Sequence, residues 1–474
     1  MRRLGVGLVY WPELAPVVAA GGEIISVLEI EPQTLWEKAF IDGRGAYRIN
    51  EEAFSRIEAM PHVKLIHGVG HPVGGLTDDP LDWRTPFARC VNMLNPPWVS
   101  EHLSFNRFST PEGIRESSFL LPPRQTPAGV MVAAENLRRM QKIVGRPVAF
   151  ETGVNYLQRR PDEMSDGEYF AAVAAAAECG ILLDLHNLWA NERNGRQPLT
   201  EILDVLPLER VWEVHVAGGM PLNGYWLDAH CGLVDDGLMR LVEQTLSRLP
   251  NLSALVFEIL PQYVAGIGLD CIHRQMESLS ALWRRRPPVE VAVSPAQSGE
   301  MFHRAEKGIG DMLAWEQSLA AIALGWPRPT TGLSDLVEDS GGAVFEQLVH
   351  EFRSGRVARG LRYSMLTLFR YLGAQAVDGL VRVYCRTEPA DIFTAVEAER
   401  FAAFLQRRIE DGRLCVPFLS EVLAFERAII RASLYGAGTH LQWTVDPSAL
   451  FSALETGGRI DLLARTSVPM VVQV

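Results

Sequence analysis

The chain of 474 residues has no run of about 18 or more apolar residues, so no membrane-spanning helix is expected. Its first stretch, MRRLGVGLVYWPELAP, puts Gly, Trp, Pro and Glu where a signal-peptide core needs unbroken apolar chain, and a cytoplasmic protein is expected. Cysteine is sparse. The six residues Cys90, Cys179, Cys231, Cys271, Cys385 and Cys415 form no C-x-x-C pair, which argues against a zinc knuckle or a disulfide scaffold. Basic charge is in deficit as well, since 45 Lys and Arg stand against 57 Asp and Glu, a net charge of -12. Strong attraction to a phosphate backbone is therefore not expected, and nucleic acid is not an expected partner. Neither a P-loop nor a G-x-G-x-x-G after a strand occurs, so no nucleotide or flavin site is expected.

What the chain does have is apolar pattern. With 47% hydrophobic residues and a length beyond what one core usually serves, about 250 to 300 residues, two domains are expected. Eight β-branched runs occupy the first 290 residues: LGVGLVY from Leu4, IISVLEIEP from Ile24, VKLIHGVG from Val63, WVSEHLSF from Trp98, PVAFETGV from Pro147, ILLDLHNL from Ile181, VWEVHVAG from Val211 and ALVFEIL from Ala254. Helix-like stretches such as GVMVAAENLRRMQKIVG separate many of them, so residues 1–285 read as a TIM-type (β/α)8 barrel. Residues 286–298 read as a Pro-containing linker, and residues 299–474 as a smaller, mainly helical domain with a strand-like tail, GGRIDLLARTSVPMVVQV. The aromatics Tyr363, Phe369, Tyr371, Phe418 and Phe425 fall at helical spacing and read as core rather than as a peptide groove.

The polar residues of the barrel strands gather toward their ends: His67, then Glu101 and His102, Glu151, Asp184 and His186, His215, and Glu258, with Asp228 and His230 in a following loop. The C-terminal strand ends of such a barrel converge on one mouth, where catalysis is housed. Four carboxylates gathered there, Glu151, Asp184, Asp228 and Glu258, would repel by roughly 4 kcal/mol per pair at 4 Å and an effective dielectric of 20. No Lys or Arg lies in the quoted fifth to eighth strands, whereas His67, His102, His215 and His230 are natural metal ligands. Two or three cations would balance the carboxylates and use the imidazoles. Glu29, Glu31 and Glu213 read as helix-facing or salt-bridged, and Glu101 should face away from His102. His71 and His186 are candidates for acid or base.

These motifs, HGVG, SEHLSF, ETGVNY, LLDLHNLWAN, EVHVAGG, DAHCG and FEIL, together resemble the multinuclear non-heme iron-dependent oxidative enzymes, whose best-known members make methanobactin and related modified peptides. The resemblance implies two or three irons, mixed Fe(II) and Fe(III), held by His67, His102, Glu151, Asp184, His215, Asp228, His230 and Glu258, with Asn155 and Asn187 as further ligands. It also implies dioxygen as co-substrate and a precursor peptide oxidised at cysteine. His186 stands where many members have Asn, Gly219 where they have His, and His71-Pro72 where Leu-Ser is usual. The helical half resembles, in RYSMLTLFRYLG and PFLSEVLAFERA, the partner that such enzymes need to hold their peptide, so a separate partner protein is not expected. A zinc hydrolase or isomerase of the same barrel type, such as an abasic-site endonuclease, and a non-catalytic metal or peptide carrier are the rival readings.

Overall fold

Strands β1 (Gly5–Val9), β2 (Val27–Ile30), β3 (Val63–Gly68), β4 (Val99–His102), β5 (Val148–Glu151), β6 (Gly180–Asp184), β7 (Val211–Ala217) and β8 (Ala254–Glu258) pair in parallel and close on themselves, β8 joining β1, in a computed structural model. The structure describes residues 2–287, 308–327, 334–436, 438–460, 463 and 465–472. The expected barrel is therefore present, with a helical region after it; the expected linker lies outside the described residues beyond Pro287.

The period of two along each strand sorts its residues between two environments. Leu28, Ile30, Ile66, Val99, Phe150, Ile181, Leu183, Val214, Val216, Leu255 and Phe257 join the large apolar cluster that the surrounding helices cover. A second, smaller cluster of Val9, Val27, Leu65, Trp98, Ala149, Ala254 and Val256 plugs the barrel interior. Two residues farther along the same faces come Glu29, His67, Ser100, Glu151 and Glu258, so the interior turns polar one layer above the plug.

The helices begin where their sequences supply caps. Thr126 accepts from Gly129 N ahead of Pro127–Val144, and Ser165 with Glu168 forms a capping box ahead of Asp166–Ala177. Asp184 itself caps Leu185–Arg193, accepting from Asn187 N at 2.7 Å.

Hairpins extend the mouth at Trp36–Ile41 with Arg44–Ile49, Phe105–Thr110 with Gly113–Leu121, and Met220–Leu222 with Tyr225–Leu227. The helical region packs on them. Helix Ile309–Ala323 sets Trp315 Nε1 on the carbonyl of Pro122 and Gln317 Nε2 on that of Ser109, and Tyr225 meets Ser340 at 2.6 Å. One apolar cluster joins Phe105, Phe108, Tyr156 and Leu227 of the barrel loops to Leu319, Phe345 and Leu348 of the helices.

Residues 341–387 form three helices, Gly341–Gly360, Arg362–Leu372 and Ala374–Thr387, divided near Leu361 and at Gly373, whose φ of 80° a side chain would resist. Strand β9 (Thr439–Val445) pairs antiparallel with β10 (Arg465–Val472), the expected strand-like tail. Tyr363, Phe418 and Phe425 pack against a core of Val422, Trp443 and Leu450 as expected, but Phe369 and Tyr371 are 44% and 40% exposed. Their helix, Arg362–Leu372, buries Ser364, Met365, Thr367 and Leu368 instead, so the helical spacing was right and the buried face was misjudged. No helix among the described residues is long and apolar enough to cross a membrane.

Candidate metal centre

The mouth is assembled from strand ends and the loops that follow. Register places His67 beside Ser100, His102 beside Glu151, Asp184 beside His215 and Ala217 beside Glu258 on neighbouring strands. Their side chains meet in four overlapping triads: His67, His102 and Glu151; Glu151, Asp184 and His215; Glu29, His215 and Glu258; and Asp184, His230 and Glu258, the ligand atoms of each lying within 4.8 Å of one another. Glu151, Asp184, His215 and Glu258 each belong to more than one triad, so the sites adjoin.

Close approach here does not mean hydrogen bonding. His215 Nδ1 lies 2.7 Å from Glu258 Oε1 and its Nε2 2.8 Å from Glu29 Oε2, while His230 Nε2 lies 3.0 Å from Glu258 Oε2. Yet both His215 nitrogens, His230 Nε2, both Glu29 oxygens, Glu258 Oε2, Glu151 Oε2 and Asp184 Oδ2 are buried without a hydrogen-bond partner. Buried polar atoms are ordinarily satisfied, and lone pairs aimed at one another at such distances are what cations among them would relieve. The donors, imidazole nitrogen with carboxylate oxygen, suit first-row transition metals, so the residues present fit a multinuclear centre.

Burial and crowding shift the charges of these groups strongly. Burial, followed by the fields of Glu151, Asp228 and Glu258, pushes the Asp184 carboxyl well above the usual range. Glu29 is driven the same way by burial and then by Glu213. Glu31, just beyond β2, is raised to about 7 by burial and then by Glu258. Against the burial that lowers them, the neighbouring carboxylates push His102, His215 and His230 well above the usual imidazole range, so without an ion the imidazoles carry the positive charge of this pocket, and an ion would take over that role.

Supporting contacts fix the ligands. His67 Nδ1 meets Ser100 Oγ and His102 Nδ1 meets the carbonyl of Gly68, each at 2.9 Å, leaving the Nε2 atoms toward Glu151 at 3.1 and 2.9 Å. Asn187 Nδ2 donates to Glu151 Oε1 at 3.3 Å, so it steadies a ligand, and its own Oδ1 is unpartnered. Asp228 Oδ1 lies 2.9 Å from His230 Nε2 and 2.9 Å from His186 Nδ1, while Trp226 Nε1 donates to His186 Nε2 at 3.3 Å. Both nitrogens of His186 are thus engaged. The backbone of His230 is held at a φ of 45°, an uncommon conformation for a residue with a Cβ, by a hydrogen bond from Leu260 N to its carbonyl.

The glycines that end β7 have a steric reason. A Cβ on Gly218 would stand 2.2 Å from the Cys231 carbonyl, and one on Gly219 2.4 Å from Trp226 Nε1 and 2.6 Å from His186 Nε2. The loop bearing Asp228 and His230 closes over these bare positions.

Two predicted residues stand apart. Asn155 Oδ1 accepts from Leu157 N at 3.0 Å in a loop turn, and His71 Nε2 binds Asp79 at 3.0 Å while its ring stacks on Trp83 at 4.3 Å. Three further carboxylates take the salt-bridged rather than the helix-facing alternative or lie near it, Glu29 and Glu213 standing 2.8 and 3.7 Å from His215 Nε2. Glu29 and Glu213 point into the barrel, Glu213 accepting from Trp98 Nε1 at 2.9 Å, and Glu31 feels the charges of Glu258, His102, His230 and Glu151. Ser100 went unremarked, although its spacing of two from His102 placed it on the same face. Glu101, as expected, is not in the cluster; its Oε1 accepts from the His102 backbone at 2.9 Å.

Residues 5–259 match the profile of a family described as RiPP precursor modification enzyme MbnB/TglH/ChrH. Relatives known as UPF0276 proteins include one from Anaeromyxobacter sp. (strain Fw109-5), 30% identical over 194 residues, 40% of this chain and 66% of the relative. Another, from Acaryochloris marina, is 27% identical over 231 residues, covering 48% and 82%. A third, from Streptomyces avermitilis, is 28% identical over 249 residues, covering 52% and 49%. The match spans just under two thirds of the length of the Anaeromyxobacter relative. Among solved structures, a xylose isomerase domain protein from Planctomyces limnophilus aligns over 60% of this chain and 98% of its own with a TM-score of 0.37 and 14% identity. That likeness is too distant to bear on chemistry.

Proposed function

Because the chain belongs to the MbnB/TglH/ChrH family of RiPP precursor modification enzymes, we propose that it oxidises a ribosomally made precursor peptide, at cysteine, using iron and dioxygen. The observation that carries this reading is the set of buried, unpartnered imidazole and carboxylate atoms converging at the barrel mouth. Two or three irons of mixed valence bound there would supply the redox chemistry that activates dioxygen.

The residues divide that work. His67, His102 and Glu151 would hold one ion, Glu29, His215 and Glu258 a second, and Asp184 and His230 with Glu258 a third. Asp228 lies beside His230 and is oriented by His186, which Trp226 fixes; His186 is thereby a positioning residue rather than a mobile proton carrier. The deep burial of Asp184 and His215 keeps bulk water from the inner ligands.

The helical region holds the peptide in this proposal. Its contacts with the mouth hairpins place it beside the site, and a tether raises the effective concentration of its cargo toward the millimolar range. A separate partner protein is then unnecessary, and six unpaired cysteines suit a cytoplasmic setting. The test is to incubate the purified protein with a cysteine-containing precursor peptide without oxygen, then admit oxygen and follow the peptide by mass spectrometry. A mass change only after oxygen is expected. A mass change without oxygen would favour a hydrolase, and no mass change under either condition an isomerase or a carrier.

A further inference from the structure

Beneath the mouth stands one carboxylate that none of the ligand triads uses. Glu213 lies two residues before His215 on β7, on the same face, and is wholly buried. Its Oε2 accepts from Trp98 Nε1 at 2.9 Å, while its Oε1 has no hydrogen-bond partner and lies 3.7 Å from His215 Nε2. A neutral indole N–H fixes the carboxylate without cancelling its charge. Among the described residues neither Glu213 nor Glu29 pairs with Lys or Arg, and Glu213 is the charge that Glu29 feels most strongly.

With ions bound the imidazoles are neutral ligands, so the carboxylates set the charge at each position. The outer triad, His67, His102 and Glu151, offers two imidazoles and one carboxylate. Glu101 stands behind it, Oε1 3.5 Å from His102 Nδ1, and that oxygen also accepts from the His102 backbone N–H. The inner triad offers one imidazole with two carboxylates, Glu29 and Glu258, and Glu213 adds a third. The triad of Asp184, His230 and Glu258 is as rich, with Asp228 beside it, but it meets solvent: the His230 and Asp228 side chains are 25% and 14% exposed, against 0% for Glu29, Glu213 and His215. Water screens charge at the open position, whereas at the closed one the bound ion has to answer it.

Attraction to a carboxylate grows in step with the charge of the ion, so every buried carboxylate favours a trivalent ion over a divalent one, and oxygen-rich donor sets suit hard ions. We propose that Glu213 makes the inner position, at Glu29, His215 and Glu258, selective for a trivalent ion, leaving divalent ions at the other two. The proposal rests on the reading of the mouth as a metal centre and deepens it, since it assigns the place of the ferric ion in a mixed-valent set. Glu213 is then a positioning residue of charge rather than a ligand, held in place by Trp98.

The test titrates the full-length protein, freed of metal, with zinc(II) and gallium(III), redox-silent stand-ins for ferrous and ferric iron, the gallium supplied as its nitrilotriacetate complex. Bound metal is counted by elemental analysis after gel filtration. One gallium per chain alongside zinc is expected. Glu213→Gln keeps an oxygen for Trp98 and removes the charge, and its preference for gallium over zinc, read by competition, should fall about tenfold. Glu101→Gln makes the same exchange behind the outer triad and should leave that preference as it was. No bound gallium, gallium in place of every zinc, an unchanged preference in Glu213→Gln, or an equal loss in both variants would overturn the proposal. If thermal melts show that Glu213→Gln does not fold, the count of gallium on the unaltered protein decides. Zinc bound without gallium defeats the selectivity alone, and failure to bind either ion defeats the metal centre with it. Neither oxygen nor peptide enters these measurements, so the oxidative reading stands or falls separately.

Discussion

At the residue scale the centre gathers buried imidazole and carboxylate atoms without hydrogen-bond partners, in groups that could hold cations. Asp184 has one oxygen committed to the helix cap and the other unpartnered among Glu151 and Glu258. Asp184→Ala or His215→Ala is expected to abolish metal loading and turnover together, measured by elemental analysis and peptide mass; full activity at normal metal content would contradict the assignment. His186→Ala should act more mildly, since it removes the orientation of Asp228 and not a ligand. Metal affinity is expected to fall about 10- to 100-fold, read by competition with a chelator, while saturating metal restores occupancy. Most of this layer was legible from spacing, because residues two apart on a strand share a face. Glu29 and Glu213 were not, because a strand buried on both faces gives no polar alternation to say which side is the interior. Asp228 and His230 were legible as a spaced pair, but their meeting with Glu258 depends on how the loop folds over Gly218.

At the scale of elements, the union of helix Ile309–Ala323 with the loop after β3 turns on Glu316. Its Oε1 accepts from Leu76 N at 2.7 Å, its Oε2 is buried without a partner, and burial pushes its carboxyl up from 4.5 to about 8, against the backbone bond that lowers it. An acid whose pKa is raised in the folded state contributes stability that is fully present below about pH 4.5 and lost as pH rises through about 8, each pH unit between those limits costing about 1.4 kcal/mol. Glu316→Gln keeps the acceptor and removes the charge. It is expected to raise the unfolding midpoint at pH 8 and to leave it nearly unchanged at pH 5, by thermal melts at both; the same pH slope in the variant would contradict this. Nothing in the helical spacing around Glu316 announces the contact, because its partner lies 240 residues earlier. The eight barrel strands, by contrast, announce themselves locally through β-branched runs. The mouth hairpins Trp36–Ile49 and Phe105–Leu121 drew no strand reading, because charged and turn residues interrupt their apolar pattern.

At the scale of the whole molecule, barrel and helical region share their apolar surface. The largest buried cluster runs from Val6 and Leu8 through to Phe401 and Leu423, and Tyr47 of a barrel hairpin meets Phe393 with ring centroids 5.4 Å apart. Ion pairs cross the same boundary, including Lys38 with Asp391 at 3.0 Å and Arg160 with Asp335 at 2.8 Å. A single calorimetric unfolding transition is expected in spite of the length, whereas two well-separated transitions would contradict a shared core. Sequence pattern announced a barrel with a helical region after it, but it could not show that the helices pack on the mouth hairpins, which depends on contacts between distant segments.

The proposed function needs a redox-active iron cluster at the barrel mouth. The most direct measurement is elemental analysis of protein purified without air and without added metal, with an absorption spectrum before and after oxygen. Two or more irons per chain, and a band that changes when oxygen is admitted, are the expected result. Stoichiometric zinc with an unchanging spectrum would contradict it.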